Sequence, residues 1–264
     1  MWFIAQTLFR VAIGSIHAGR IFGIPVRLHS SLLIPGCLIV LGEYKVDGLV
    51  GAVCGVVLFC IIYSSLLLHE LGHLAAARYI GIQAKGILLT WIGGVASMDG
   101  APVRPAQEMF VIGAGPAVNL CNVAVLLPFV SLNSASLHVA APSVLGFAGQ
   151  ALLVNIVMAA FNMIPVFPMD GGRLLRAALH FFLPLRMATG IALLVGIVLA
   201  ILLGGFAAFA WGSVRLPVVF FIVICFGALE YLAIACGTMT AAGAALPSLP
   251  PSGFAPEPSR HLLP

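Results

Sequence analysis

Charge is what this 264-residue sequence has least of: Asp, Glu, Lys and Arg together make up 8% of it, against 62% apolar residues and a mean hydropathy of +1.17. A water-soluble domain of this length could not cover its surface with so few charges, so that class is excluded. Basic clusters are missing as well. The formal charge of +4 comes from single Lys and Arg residues set between apolar runs, which leaves nothing to track phosphates and argues against a nucleic-acid partner. The six cysteines, Cys37, Cys54, Cys60, Cys121, Cys225 and Cys236, lack the paired spacing of a thiolate zinc site and read as small core residues. The opening MWFIAQTLFR has no basic stretch ahead of its apolar residues and no small-residue cleavage site, so the N-terminus is expected to stay attached. No repeat recurs at a fixed period, which disfavours a transporter built from two inverted halves.

What is present is a series of long apolar runs. A helix needs about 20 apolar residues to cross a bilayer, and that rule places spans near 30–42, 49–77, 106–131, 143–164, 187–209 and 214–236, the first of them short. The expected fold is therefore an all-α polytopic membrane protein of about six transmembrane helices. If every span crosses, Arg10, Arg20, Arg27, Arg78, Lys85, Arg104, Arg173, Arg176, Arg186 and Arg260 share one side, and Lys45 and Arg215 lie opposite. The positive-inside rule then puts both termini in the cytoplasm, in the inner or plasma membrane of the cell.

Three stretches depart from the pattern of spans. Residues 79–100 contain ILLTWIGGVASM, rich in strand formers, broken by Gly93 and Gly94 and too short to cross; a β-hairpin at the cytoplasmic rim is expected there. After Asp170, GGRLLRAALHFF has apolar residues and arginines at helical spacing and suits a short surface helix ending before Pro184. Residues 240–264 hold many prolines and few charges and read as a disordered tail behind a membrane domain covering 1–239.

The segment HELGH at 69–73 places three ionisable side chains at membrane depth, where they are costly and point to function. Four residues apart on a helix, His69 and His73 project from one face and can share one Zn²⁺. Glu70 lies one position round the helix, placed to act as general base on water without entering the coordination sphere. A hydrolytic zinc site takes three protein ligands, so one more carboxylate or imidazole is required. Asp170 follows the fourth span and returns to the level of HELGH, and it is the leading candidate. Glu230 in the sixth span is the second and His180 the third, while His138 falls on the opposite side. Asp170 could instead merely cap the helix that starts at Gly171. Pro165, Pro168 and the Gly171-Gly172 pair free the backbone around Asp170 to bend towards a metal, which at this depth requires a covering of protein or a water-filled cavity.

Together, HELGHLAAARYIG at 69–81, GAGPAVN at 113–119 and NMIPVFPMDGGRLL at 162–175 resemble, in order, the motifs of the site-2 protease family of intramembrane zinc metalloproteases. GRIFGIPVRLHSS near the start resembles the approach to the first span in the sporulation-type branch of that family, whose active site faces the cytoplasm. The resemblance implies one Zn²⁺ per chain held by His69, His73 and Asp170, with Glu70 as the catalytic carboxylate. It implies that Asn162 contacts the substrate backbone. Asn155, two turns earlier, extends a polar stripe, and Asn119 matches the third-span motif, where close packing is as good an account as catalysis. The substrate class implied is a single-span membrane protein, unwound and received as an added strand at the 79–100 hairpin. The nucleotide-sensing CBS pair and the PDZ module found in some relatives are not expected here. The rival readings are a membrane zinc peptidase using Glu230 as third ligand, and a metal transporter or scaffold without catalysis.

Overall fold

The computed structural model describes residues 14–100, 102, 104–130 and 144–211, together with Cys225, Ala228 and Leu232. Strand β1 (Ser15–Ile21) and strand β2 (Ile24–His29) form a hairpin whose turn residues, Phe22 and Gly23, both take positive φ, of 50° and 76°. Turns of that kind match the right-handed twist of the strands they join. Helix α1 (Leu33–Tyr79) follows, then β3 (Gln83–Thr90), β4 (Gly93–Asp99), α2 (Pro105–Leu126), α3 (Val144–Asn162), the short α4 (Asp170–His180) and α5 (Leu185–Trp211).

The expected hairpin at 79–100 is present as β3 and β4, reversing at Trp91 and Ile92 and paired from Gln83 with Asp99 to Thr90 with Gly93. It is half of a larger object. Residues 26–28 of β2 pair in parallel with 87–89 of β3, which gives a four-stranded sheet in the order β1-β2-β3-β4. The all-α expectation with one hairpin is corrected to a mostly helical chain carrying this sheet. The reason is that residues 15–29 alternate weakly and read as a run towards the first span, whereas their strand character depends on pairing with residues about 60 positions away.

Helix α1 is interrupted at Asp47 and Gly48, whose backbones leave helical geometry. The chain turns back there. Space for a side-chain carbon at Gly55 is limited by Val40 and Ile39, at Gly51 by Glu43 and at Gly36 by Phe59, the reversed order of an antiparallel pair. The long arm carries HELGH and packs its final turns on the sheet through Leu74, Ile24, Ile87 and Leu89. Ala76, Ala77 and Val111 join that arm to α2. Polar bonds fix the sheet at two further points: the Tyr63 hydroxyl donates to Thr90 O at 3.3 Å, and the Arg78 guanidinium to Phe22 O at 2.8 Å.

Three helices among the described residues are long and apolar enough to cross a membrane, within Ser30–Tyr79, Pro105–Phe129 and Leu185–Ala210, and Gly146–Asn162 is a shorter apolar helix. Leu38, Leu120, Leu194, Ile201 and Phe206 lie exposed along them, while Asn119, Asn155, Ser65 and Thr189 are buried. Apolar side chains outside and polar ones inside is the arrangement suited to lipid, not water. The chain is an integral membrane protein. The expected span at 214–236, the 240–264 tail and His138 lie outside the described residues, Cys225, Ala228 and Leu232 excepted.

Candidate metal centre

His69 and His73 stand one helical turn apart near the end of α1, and α2 passes beside them at Gly115. A side-chain carbon at Gly115 would collide with the Nε2 atoms of both imidazoles, so glycine is what lets the two rings occupy that space. Asp170 arrives from the far side. It is the first residue of α4, reached through the turn after α3, in which Val166 N donates to Ile164 O and Met169 N to Val166 O. The turn folds so tightly onto the start of α4 that a side chain at Gly171 or Gly172 would strike the backbone of residues 163–167. Met169, not Asp170, occupies the N-cap position, so the capping alternative does not describe this carboxylate.

The three groups converge. His69 Nε2 lies 3.1 Å from Asp170 Oδ2, His73 Nε2 lies 3.3 Å from it, and the two Nε2 atoms are 3.1 Å apart. All three residues are buried, with 3%, 6% and 6% of their surfaces accessible. Among the described residues they form the one cluster of His, Cys, Asp or Glu with metal-ligand spacing.

A cation fits this triangle. The Nδ1 of His73 sits 2.9 Å from the carbonyl oxygen of Val111, which can only accept, so Nδ1 carries a proton, and in the neutral ring that metal binding requires the lone pair is at Nε2. Nδ1 of His69 meets the Oδ1 of Asn119 at 2.6 Å. Asp170 Oδ2 is buried and forms no hydrogen bond. Lone pairs gathered in this way repel one another unless a positive charge lies between them. Tetrahedral zinc with ligands at about 2.0–2.1 Å has ligand-to-ligand edges of about 3.3–3.4 Å, close to the observed separations. The Arg173 guanidinium, 4.0 Å from Asp170 Oδ1, favours the ionised carboxylate that a metal ligand must be.

Glu70 takes no part in the triangle and lies against β4 instead. A side-chain carbon at Gly94 would meet its Cγ at 2.5 Å and its Cδ and Oε1 at 2.8 Å, so the strand runs directly over the carboxylate. The Asn162 amide donates back to Met158 O at 3.0 Å, on its own helix. His180 ends α4, ten residues and roughly 15 Å along the helix from Asp170, too far to share its metal. Glu230 lies outside the described residues. Two parts of the centre escape sequence reasoning. Val111 acts through its backbone carbonyl, which leaves no side-chain signature, and Glu108, buried against Arg176 of α4, reads in the sequence as one charge at the start of a span.

Residues 57–140 and 128–203 match peptidase family M50. The chain belongs to this family. A solved structure, that of the site-2 protease from Methanocaldococcus jannaschii, superposes with a TM-score of 0.59 at 32% identity, covering 83% of this chain and 95% of that one. A zinc metalloprotease of the same organism is 34% identical over 194 residues, 72% of this chain and 52% of its own length. Stage IV sporulation protein FB of Bacillus subtilis is 31% identical over 147 residues, 54% of this chain and 48% of its own. The chain thus spans about half the length of the curated relatives it matches. Within the M50 family, the triangle of His69, His73 and Asp170 has the chemistry its zinc-dependent members require.

Proposed function

We propose that this M50 chain is an intramembrane zinc metalloprotease that hydrolyses peptide bonds in or near the transmembrane segment of single-span membrane proteins. The observation that carries the reading is the buried convergence of His69, His73 and Asp170 at 3.1–3.3 Å, with Glu70 beside them under β4.

His69, His73 and Asp170 would hold one zinc ion, which would supply Lewis acidity towards a carbonyl oxygen and towards water. Glu70 accepts the proton that the attacking water gives up and delivers it to the leaving amine. The Val111 carbonyl and the Asn119 amide hold the imidazoles in orientation, and burial keeps bulk water from competing with the fixed groups. Strand β4 ends the sheet, and an unwound substrate segment adds to its free edge as one more strand, passing Glu70 as it does so. Asn162 contacts the substrate backbone after releasing its bond to Met158. A helical substrate must unwind in any case, since its peptide carbonyls are otherwise committed to the helix.

In the same reading about six helices cross the bilayer. Both termini and the centre face the cytoplasm, and the chain belongs to the sporulation-type branch. The asymmetry of Lys and Arg across the spans and the 31% identity to stage IV sporulation protein FB support this. The test is cleavage of a single-span substrate by purified protein in bilayers, with products located by mass spectrometry. Cleavage within the span, abolished by Glu70→Gln, is expected; cleavage that survives this substitution overturns the mechanism.

A further inference from the structure

Behind His69 runs a chain of buried amides whose polarity is set at one end by a group that cannot change. The carbonyl oxygen of Ala151 only accepts, and Asn155 Nδ2 donates to it at 2.8 Å and to Ser65 Oγ at 3.1 Å. That fixes which way the Asn155 amide points, leaving its Oδ1 to accept from Asn119 Nδ2 at 2.9 Å and from Asn122 Nδ2 at 3.1 Å. Asn119, with its NH₂ committed to Asn155, must turn Oδ1 towards His69 Nδ1, 2.6 Å away. An amide oxygen has no proton to give, so Nδ1 of His69 carries one, and in the neutral ring that metal binding requires Nε2 is left as a lone pair facing His73 and Asp170.

We propose that Asn119 and Asn155 are positioning residues that set the tautomer and rotamer of His69, relaying the polarity of the Ala151 carbonyl from α3 through α2 to the metal centre on α1. The relay rests on reading that centre as a zinc site. The energetic argument is that Asn119, Asn155 and Ser65 are 0%, 2% and 5% exposed, so a reversed amide anywhere along the chain would set donor against donor or oxygen against oxygen with no water to intervene. Without Asn119, His69 is free to take the other tautomer, which puts a proton on Nε2 where the metal must bind. Asn122 supplies the internal comparison. It donates to the same Asn155 oxygen yet is no link to His69, so it shares any role in gluing the helices and none in the relay.

The test is zinc affinity of the full chain in detergent, by competition with a chromophoric chelator, for wild type, Asn119→Leu, Asn155→Leu, Asn122→Leu and the Asn119→Leu/Asn155→Leu double variant. Asn119→Leu should weaken binding about 10- to 100-fold, the range for loss of a partner to a metal-bound histidine. Asn155→Leu should weaken it about tenfold although it touches no ligand, and Asn122→Leu should leave it unchanged. The double variant should bind no more weakly than Asn119→Leu, because both substitutions cut one chain. Equal losses from Asn155→Leu and Asn122→Leu, or full additivity in the double variant, would overturn the relay while leaving the zinc site intact. If Asn119→Leu fails to fold, the comparison of Asn155→Leu with Asn122→Leu decides alone. A wild-type chain that binds no zinc overturns the zinc reading, and the relay with it.

Discussion

Arg176, on the helix that begins with Asp170, donates its guanidinium to the carboxylate of Glu108 in the first turn of α2, and both side chains are buried. The guanidinium also lies over the ring of Phe167, 5.6 Å from its centre, in the turn that delivers Asp170. The pair therefore ties the helix carrying the third ligand to the helix that supplies Val111 and Asn119 to the other two. Replacing Arg176 with Met strands the Glu108 carboxylate in a site with little water, a change that costs about 3–5 kcal/mol in comparable pairs. Thermal unfolding in detergent should show a large fall for Arg176→Met. Most of the loss should be recovered in Glu108→Gln/Arg176→Met, where no unpaired charge remains.

Gly115 and Gly94 separate metal binding from proton transfer. A methyl group at Gly115 meets both Nε2 atoms, so Gly115→Ala should displace the imidazoles and lower zinc content together with activity. A displacement of about 1 Å at a reacting centre is commonly worth about 10²-fold in rate. Zinc measured by mass spectrometry alongside peptide cleavage checks this.

At Gly94 the atoms nearest the added carbon all belong to Glu70. Gly94→Ala should keep about one zinc per chain and lose roughly 10²-fold in cleavage rate. A parallel loss of zinc would show that β4 supports the metal ligands instead of the carboxylate.

Glu70→Gln keeps the shape of the side chain and removes its ability to take a proton. Hydrolysis should fall by at least about 10²- to 10⁴-fold, the usual contribution of a positioned general base, with zinc content unchanged.

Much of this centre is legible in the sequence because its parts are local. HELGH places two imidazoles and a carboxylate on one helix by spacing alone, and the prolines and glycines around Asp170 announce a bent backbone. Residues 83–99 contain their own hairpin partner and were readable as strands, whereas β2 depends on residues 87–89, beyond any local pattern. The reversal at Asp47 and Gly48 lies between the two expected spans at 30–42 and 49–77, although the first arm is part of the same helix, α1. Asn119 and Asn155 were visible as polar residues in apolar runs, but their order from Ala151 to His69 joins three helices and exists only once they pack. In the sequence Arg176 serves only as a marker of topology and Glu108 carries no role, for the same reason, the two being 68 positions apart.

The central claim is that His69, His73 and Asp170 hold one zinc ion, and zinc per chain in purified wild-type, Asp170→Ala and Glu230→Ala protein tests it most directly. One zinc in wild type and in Glu230→Ala, with little or none in Asp170→Ala, is the result expected. Zinc retained without Asp170, or absent from the wild type, would contradict it.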